Sequence, residues 1–174
     1  NGIRYVILNV YGGESLHHPN IVDILSVLRD RYQPYQNRWH LTVTTTTNAI
    51  VSNQKLQKII PLIDEFTVSY HTENSPKQKQ QFKQNLLAIQ QSGHRLKCVV
   101  LMHSEPEKFT DAQNMIAWLK ENNIKHLPRQ LDHASSATKF NYDSQQVVWF
   151  EGLYKKSLDH ATIKNNLADL ADTG

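Results

Sequence analysis

The most specific chemistry in this sequence lies in Gly12, Gly13 and Glu14, directly after the apolar run Arg4-Tyr5-Val6-Ile7-Leu8-Asn9-Val10-Tyr11. Paired glycines let the backbone turn sharply and let a ligand approach the main chain closely. A carboxylate at the end of such a run can hold a ligand ammonium through a charge-assisted pair. A plain turn carrying a solvated Glu would use the same residues. Histidines form the second group. The chain has nine, and His17, His18, His71, His103 and His133 fall at or just past the ends of strand-like runs, near Glu14 and Asp132. Imidazoles and carboxylates meeting at one mouth would suit a zinc or manganese hydrolase. The spacing does not favour it. There is no H-x-H or H-E-x-x-H, and adjacent His17-His18 cannot chelate from one helix face. No metal ligand is assigned.

The elements that must position these residues follow from periodicity. Val6, Leu8 and Val10 share one face of the first run, and Tyr5, Ile7, Asn9 and Tyr11 the other. This is the pattern of a parallel strand with one face under helices and the other toward an interior. Ile21, Ile24, Leu25 and Leu28 recur at helical spacing, with Asn20 as the cap and Gln33-Pro34 as the end. His40 to Asn48 is rich in β-branched residues and predicts a strand. Ser52 caps a helix over Leu56, Ile59, Ile60 and Ile63 that ends or kinks at Pro61. Glu65 to His71 is the third strand.

Ser75-Pro76 with Gln78 predicts a capping box, Phe82, Leu86 and Ile89 the helix's apolar stripe, and Gly93 its C′ residue. Leu96 to His103 is a nearly continuous apolar strand. Thr110 and Gln113 predict a second capping box, ahead of a helix over Ala112, Met115, Ile116 and Leu119 that Asn122-Asn123 closes. Lys125 to Leu131 is a short strand interrupted by Pro128. Asp132 to Lys139 reads as loop, Ser144 as the cap of a short helix over Val147, Val148 and Phe150, and Ile163, Leu167 and Leu170 as a terminal helix. The order β-α-β-α-β-α-β-α-β predicts an α/β fold with a parallel sheet and right-handed crossovers. Ligands of such folds bind at the carboxyl ends of the strands. Those ends would gather Glu14, Thr46, Thr47, Asn48, Ser69, His71, His103, Asp132 and His133.

Tyr11-Gly12-Gly13-Glu14-Ser15-Leu16, followed by His18-Pro19-Asn20-Ile21, resembles the second conserved element of the radical S-adenosylmethionine (radical SAM) superfamily. That element is a strand ending in Gly-Gly-Glu, then Pro, Leu and a His-Pro pair opening a helix. Ser15 stands here where Pro is usual. The resemblance implies a partial (β/α)6 barrel, of which this chain would supply strands two to six. It also implies that Gly12, Gly13 and Glu14 hold the methionyl amino group. Thr47-Asn48-Ala49 stands in the place of the family's Thr-Asn-Gly, with Ala49 replacing Gly. Ser69 matches a polar contact to the ribose or carboxylate, and His71 stands where the family often has an acid. Arg129 and Gln130 would meet the ligand carboxylate or adenine. His71, His103 and His133 would line a substrate cavity. Each residue also has a structural use: Thr46 and Thr47 as β-formers, Ser69 as a filler, Arg129 as a surface ion-pair residue. Cys98 reads as a small buried hydrophobe, and Trp39, Trp118 and Trp149 as packing residues.

The family's Cys-x₃-Cys-x₂-Cys motif binds a [4Fe–4S] cluster, and Cys98 is the single cysteine here. The expectation is therefore an N-terminally truncated piece of a radical SAM enzyme. The parent would cleave S-adenosylmethionine reductively to a 5′-deoxyadenosyl radical acting on an unknown substrate, while this chain alone would be inactive. A metal-dependent hydrolase of barrel fold, or a barrel fragment that only binds a small ligand, are the alternatives. The 174 residues are read as a single domain, with 1–133 as partial barrel and 134–174 as a tail with one or two helices. The net charge of +3 is scattered, so no nucleic-acid stripe is marked. No apolar run approaches the roughly 20 residues of a membrane span, and no signal-peptide pattern is seen. One cysteine fits a reducing compartment, so a cytoplasmic location is expected. The truncation would leave the first strand at a sheet edge, predicting a homodimer through it, unless the tail covers the exposed face.

Overall fold

The computed structural model describes residues 4–131 and 141–153. The chain divides into two compact units, Asn1–Leu131 and Asp132–Gly174. The first unit runs β1 (Arg4–Val10), α1 (Ile21–Tyr32), β2 (Trp39–Thr47), α2 (Asn53–Ile59), β3 (Glu65–Tyr70), α3 (Pro76–Gln91), β4 (Arg95–Met102), α4 (Pro106–Glu121) and β5 (His126–Gln130). All five strands pair in parallel in sequence order, so β1 and β5 are the edges.

Alternation along each strand gives the sheet two unlike faces. Val43, Phe66, Val68, Tyr70, Cys98, Val100 and Met102 are buried on the helix side. They form the core with Leu25, Leu56, Ile59, Phe82, Leu86, Ile89, Met115 and Leu119. The opposite face carries Thr42, Thr44, Thr46, Thr67, Ser69, Lys97, Val99, Leu101 and Arg129, half-buried or exposed. Polar ties hold helices to sheet. Asp64 Oδ2 accepts from Val43 N at 2.6 Å and from the Arg29 guanidinium at 2.7 Å, fixing α1 to the start of β3. The Tyr70 hydroxyl (2.8 Å) and Lys79 Nζ (2.9 Å) both donate to Asp111 Oδ2, joining β3, α3 and α4.

Local signals act largely as the sequence predicts. Ser75 and Gln78 form a reciprocal capping box with Pro76 in the first turn. Gly93 has φ 78°, and α2 gives way to a 3₁₀ turn at Ile60–Leu62 around Pro61. Four expectations are corrected. β1, whose residue pattern is that of a covered strand and whose expected place is a sheet edge, is exposed except for half-buried Val10, as the edge position rather than the pattern requires. Among the described residues it has one strand neighbour, and α1 packs chiefly against α2 and the flanking 3₁₀ turns. Ile24, placed on the buried stripe of α1, is 52% exposed for the same reason. Asn20 is the N-cap residue of α1 but its side chain makes no capping bond. Thr110 does not cap α4. Pro106, whose fixed φ suits the first turn, starts that helix four residues earlier, and the Thr110 hydroxyl donates to Pro106 O at 2.9 Å.

In the second unit a helix spans 144–153. Its cap is Asp143 rather than Ser144: Gln146 N donates to Asp143 Oδ1 at 2.8 Å, and Asp143 N to Gln146 Oε1 at 3.1 Å. Phe150 is buried, with Tyr142 and Trp149 packed edge-on to it. The loop 132–139 and the terminal helix read over Ile163, Leu167 and Leu170 lie outside the described residues.

Candidate functional site

Where β1 ends, Tyr11-Gly12-Gly13 turns the chain and Leu16, fully buried, anchors it in the core. Glu14, half-buried, stitches this turn to the end of β2. Its Oε1 accepts from Leu16 N at 3.3 Å, capping the 3₁₀ turn Ser15–His17, and from the Thr47 hydroxyl. Its Oε2 accepts from Asn48 N at 2.7 Å. The carboxylate thus neutralises three donors and still has a free lone pair on Oε2 for a fourth. His17 Nε2 lies 2.7 Å from Ile50 O, a second tie between the same segments.

The turn after β2 is held as firmly. Thr47 is buried and its hydroxyl accepts from Ala49 N at 2.9 Å, while Asn48 Oδ1 accepts from Ile50 N at 2.9 Å. Ala49 is fully buried in the left-handed region at φ 52°, a conformation natural to glycine. Asn85 secures this backbone from α3. Its Nδ2 donates to Ala49 O at 2.7 Å and Val51 O at 2.8 Å, and its Oδ1 accepts from Gln81 Nε2 at 3.0 Å. Sequence reasoning missed Asn85. The available signal was an amide among Phe82, Leu86 and Ile89, on the buried stripe of an amphipathic helix.

These segments bound a cleft of about 400 Å³ at the carboxyl ends of β1, β2 and β3. Its lining brings together Gly12, Gly13, Glu14, Thr46, Thr47, Asn48, Ser69 and His71, and adds Glu73 and Asn74, which the sequence did not mark. A Cβ built on Gly12 or Gly13 would meet nothing within 4 Å, so the space over that main chain is open. Asn74 Nδ2 is buried without a hydrogen-bond partner among the described residues.

The remaining candidates lie outside the cleft lining, though His103 borders it through Glu73. His103, buried just beyond β4, has Nε2 4.0 Å from Glu73 and Nδ1 3.7 Å from Glu105. The hydrogen bond from Lys108 lowers the Glu105 pKa. Arg129 and Gln130 lie on β5, two strands from the cleft. Gln130 pairs with buried Met102 and takes the helix side, so Arg129 alone shares a face with Ser69. His133 and Asp132 lie outside the described residues. Among the described residues no three His, Cys, Asp or Glu side chains are grouped to hold a metal ion. No helix among them is long and apolar enough to cross a membrane.

The five parallel strands in sequence order, with helices between them and a cleft at their carboxyl ends, form a partial (β/α) barrel. Two of the solved proteins that share this fold are similar over most of this chain. One is SuiB from Streptococcus suis, crystallised with S-adenosylmethionine bound, at TM-score 0.57 and 14% identity over 92% of this chain. A further SuiB crystal structure matches equally well. The other is anSMEcpe with bound AdoMet and the Kp18Cys peptide, at TM-score 0.59 and 12% identity over 90% of this chain. The chain spans 37% of SuiB and 48% of anSMEcpe, less than half of either. No family model matches the sequence, and no curated protein matches it.

Proposed function

We propose that this chain is the S-adenosylmethionine-binding part of a radical SAM enzyme. The observation that carries this is the cleft in which Gly12, Gly13 and Glu14 meet Thr47, Asn48, Ser69 and His71. About 400 Å³ falls in the range of small-molecule sites. The open glycine backbone gives the methionyl end close approach, and the free Oε2 lone pair of Glu14 accepts from its ammonium. Asn74 Nδ2 offers a buried donor at the cleft wall. Ser69 and His71 stand on the side where the ribose would lie. When bound beside a [4Fe–4S] cluster, S-adenosylmethionine supplies hydrogen-atom abstraction. The cluster itself does not fit this chain's residues. Such clusters are held by several thiolates, whereas Cys98 is the single cysteine, on the helix-covered face of β4. Burial pushes its thiol up to about 12. The cluster ligands and the oxidoreductase activity are therefore assigned to a parent polypeptide, with no chemistry expected of this chain alone.

Calorimetry with S-adenosylmethionine tests the cradle. Glu14→Gln swaps one acceptor oxygen for a donor and removes the charge that pairs with the ammonium, so binding should weaken at least roughly tenfold, about 1.4 kcal/mol. Equal affinity in a folded Glu14→Gln protein rejects the role. For association, the supporting observation is β1, whose outer edge has no strand partner among the described residues and whose Tyr5 and Ile7 are 75% and 67% exposed. Edges of this kind invite pairing with another chain, and a symmetric dimer closes the arrangement simply. Sedimentation equilibrium should show a monomer–dimer equilibrium that Leu8→Lys shifts to monomer. A strict monomer in the wild type at crystallisation-like concentration removes the dimer.

A further inference from the structure

Lys97 is the third residue of β4, one residue before the β4–β5 register begins, on the face opposite buried Cys98. In register it stands beside Thr67, which stands beside Thr46. Lys97 and Thr67 are half-buried, and the Lys97 ammonium and both hydroxyls have no hydrogen-bond or ion-pair partner among the described residues. The five strands contain one acid, Glu65, and it is taken by Arg95 at 2.6 Å. Glu65 shares the face of Lys97 but is engaged by Arg95, so a half-buried lysine there is left without an acidic partner among the described residues. Packing does not call for lysine, since the next same-face residues on β4 are Val99 and Leu101. Two residues further along β3 is Ser69, in the cleft wall, about 7 Å away at the rise of a strand.

Resting on the S-adenosylmethionine reading of the cleft, we propose that Lys97, with Thr46 and Thr67, binds an anionic group of the small-molecule substrate, a carboxylate or a phosphate. The ammonium supplies the charge and the two hydroxyls supply oriented donors. Thr46 borders the cofactor cleft and Lys97 lies two strands from it on the same sheet face, so a substrate tethered there extends its reacting end toward Ser69 and His71. The sequence shows Lys97 only as a charge within an apolar run; the register gives it its surroundings.

The test uses the full chain, titrated separately with inorganic phosphate and with acetate and followed by NMR at the Thr67 and Val99 amides. One or both anions should give saturable shifts there. Lys97→Met should weaken that binding at least roughly tenfold, equivalent to about 1.4 kcal/mol, while Lys97→Arg keeps it within about threefold. S-adenosylmethionine affinity should be unchanged in Lys97→Met, and anion binding unchanged in Glu14→Gln. If Lys97→Met fails to fold by circular dichroism, Lys97→Gln takes its place under the same criteria. The proposal is overturned if neither anion moves these amides or if the neutral variant binds anions as well as wild type. It is also overturned if the neutral variant loses S-adenosylmethionine affinity instead, which would give Lys97 to the cofactor. A wild type that binds anions through Lys97 but not S-adenosylmethionine would reject the cofactor reading and leave the anion site standing.

Discussion

β1 and β4 carry similar side chains in opposite surroundings. β4 presents Cys98, Val100 and Met102 to the helices, all fully buried, and has a strand on each side. β1 presents Val6 and Leu8 to the same side of the sheet, each 37% exposed, and has a strand on one side only. A groove of about 390 Å³ runs beside it, lined by Val6, Leu28, Tyr32, Tyr35, Trp39 and Leu41. A strand's apolar content states how much cover it needs; its neighbours decide how much it gets. The candidate site bridges the two regimes. Its glycines leave the exposed strand, and Thr47 is rooted in the buried layer.

The largest test of this contrast is a matched pair of truncations. Met102→Ala empties a fully buried position in β4 and should lower stability by about 2–5 kcal/mol. Ile7→Ala in β1 removes a side chain that is 67% exposed and should change stability by less than about 0.5 kcal/mol. Urea titrations of the two proteins read both numbers. A cost at Ile7 comparable to that at Met102 would show β1 covered in solution and break the comparison.

Alkaline pH should sharpen it next. Burial raises the Cys98 thiol from 9.0 to about 12. Burial first, then the hydrogen bond to Asp111, raises the Tyr70 hydroxyl above its usual value of 10.0. In both cases the folded state keeps a proton that the unfolded chain releases. This contribution is fully present below the unfolded values and is lost as pH rises toward the folded ones. Each group should steepen the loss by up to about 1.4 kcal/mol per pH unit above its unfolded value. Cys98→Ala should therefore remove the part of the decline that begins near pH 9.0 and leave the part that begins near pH 10.0. β1 buries no ionisable side chain, so this limb of the stability curve reports the centre of the sheet. A wild-type chain equally stable at pH 8 and pH 11 would contradict that burial.

Local chemistry made most of the first unit legible. Ser75-Pro76 with Gln78, Gly93 at φ 78° and Pro61 each act through their own backbone, so their effects travel with the sequence. Thr110 misled because Ser/Thr-x-x-Gln matches a capping box wherever it occurs, and an earlier proline had already opened the helix. The Gly-Gly-Glu turn was legible as a candidate ligand site, but the partners of Glu14 were not. Leu16 N, the Thr47 hydroxyl and Asn48 N come from two segments that sequence distance keeps apart and strand pairing brings together. Asn85, Glu73 and Asn74 were missed for the same reason: nothing local to them distinguishes a clamp or a cleft wall from solvated polar residues. The exposure of β1 follows from its edge position in the described sheet, which its own residues, those of a covered strand, do not state.

The smallest expected effect addresses whether β1 is a firmly paired strand at all. Asn9 and Thr44 are register partners across the β1–β2 seam, on the face away from the helices. The Thr44 hydroxyl donates to Asn9 Oδ1, an exposed side-chain tie beside the backbone ladder. Cross-strand pairs of this kind contribute roughly 0.2–1 kcal/mol. Thr44→Val alone, Asn9→Ala alone and the two together form a cycle that isolates the pair from what each residue does separately. With β1 seated in the parallel register, the coupling energy should fall near the upper part of that range, and it should persist in added salt because neither group is charged. Zero coupling would mean that β1 opens more often than it pairs. The turn bearing Gly12, Gly13 and Glu14 would then be held to β2 by Glu14 and the buried Leu16 rather than by the strand that leads into it. A coupling of the expected size shows an exposed strand that is nevertheless fixed, which is what a rigid cofactor cradle at its end requires.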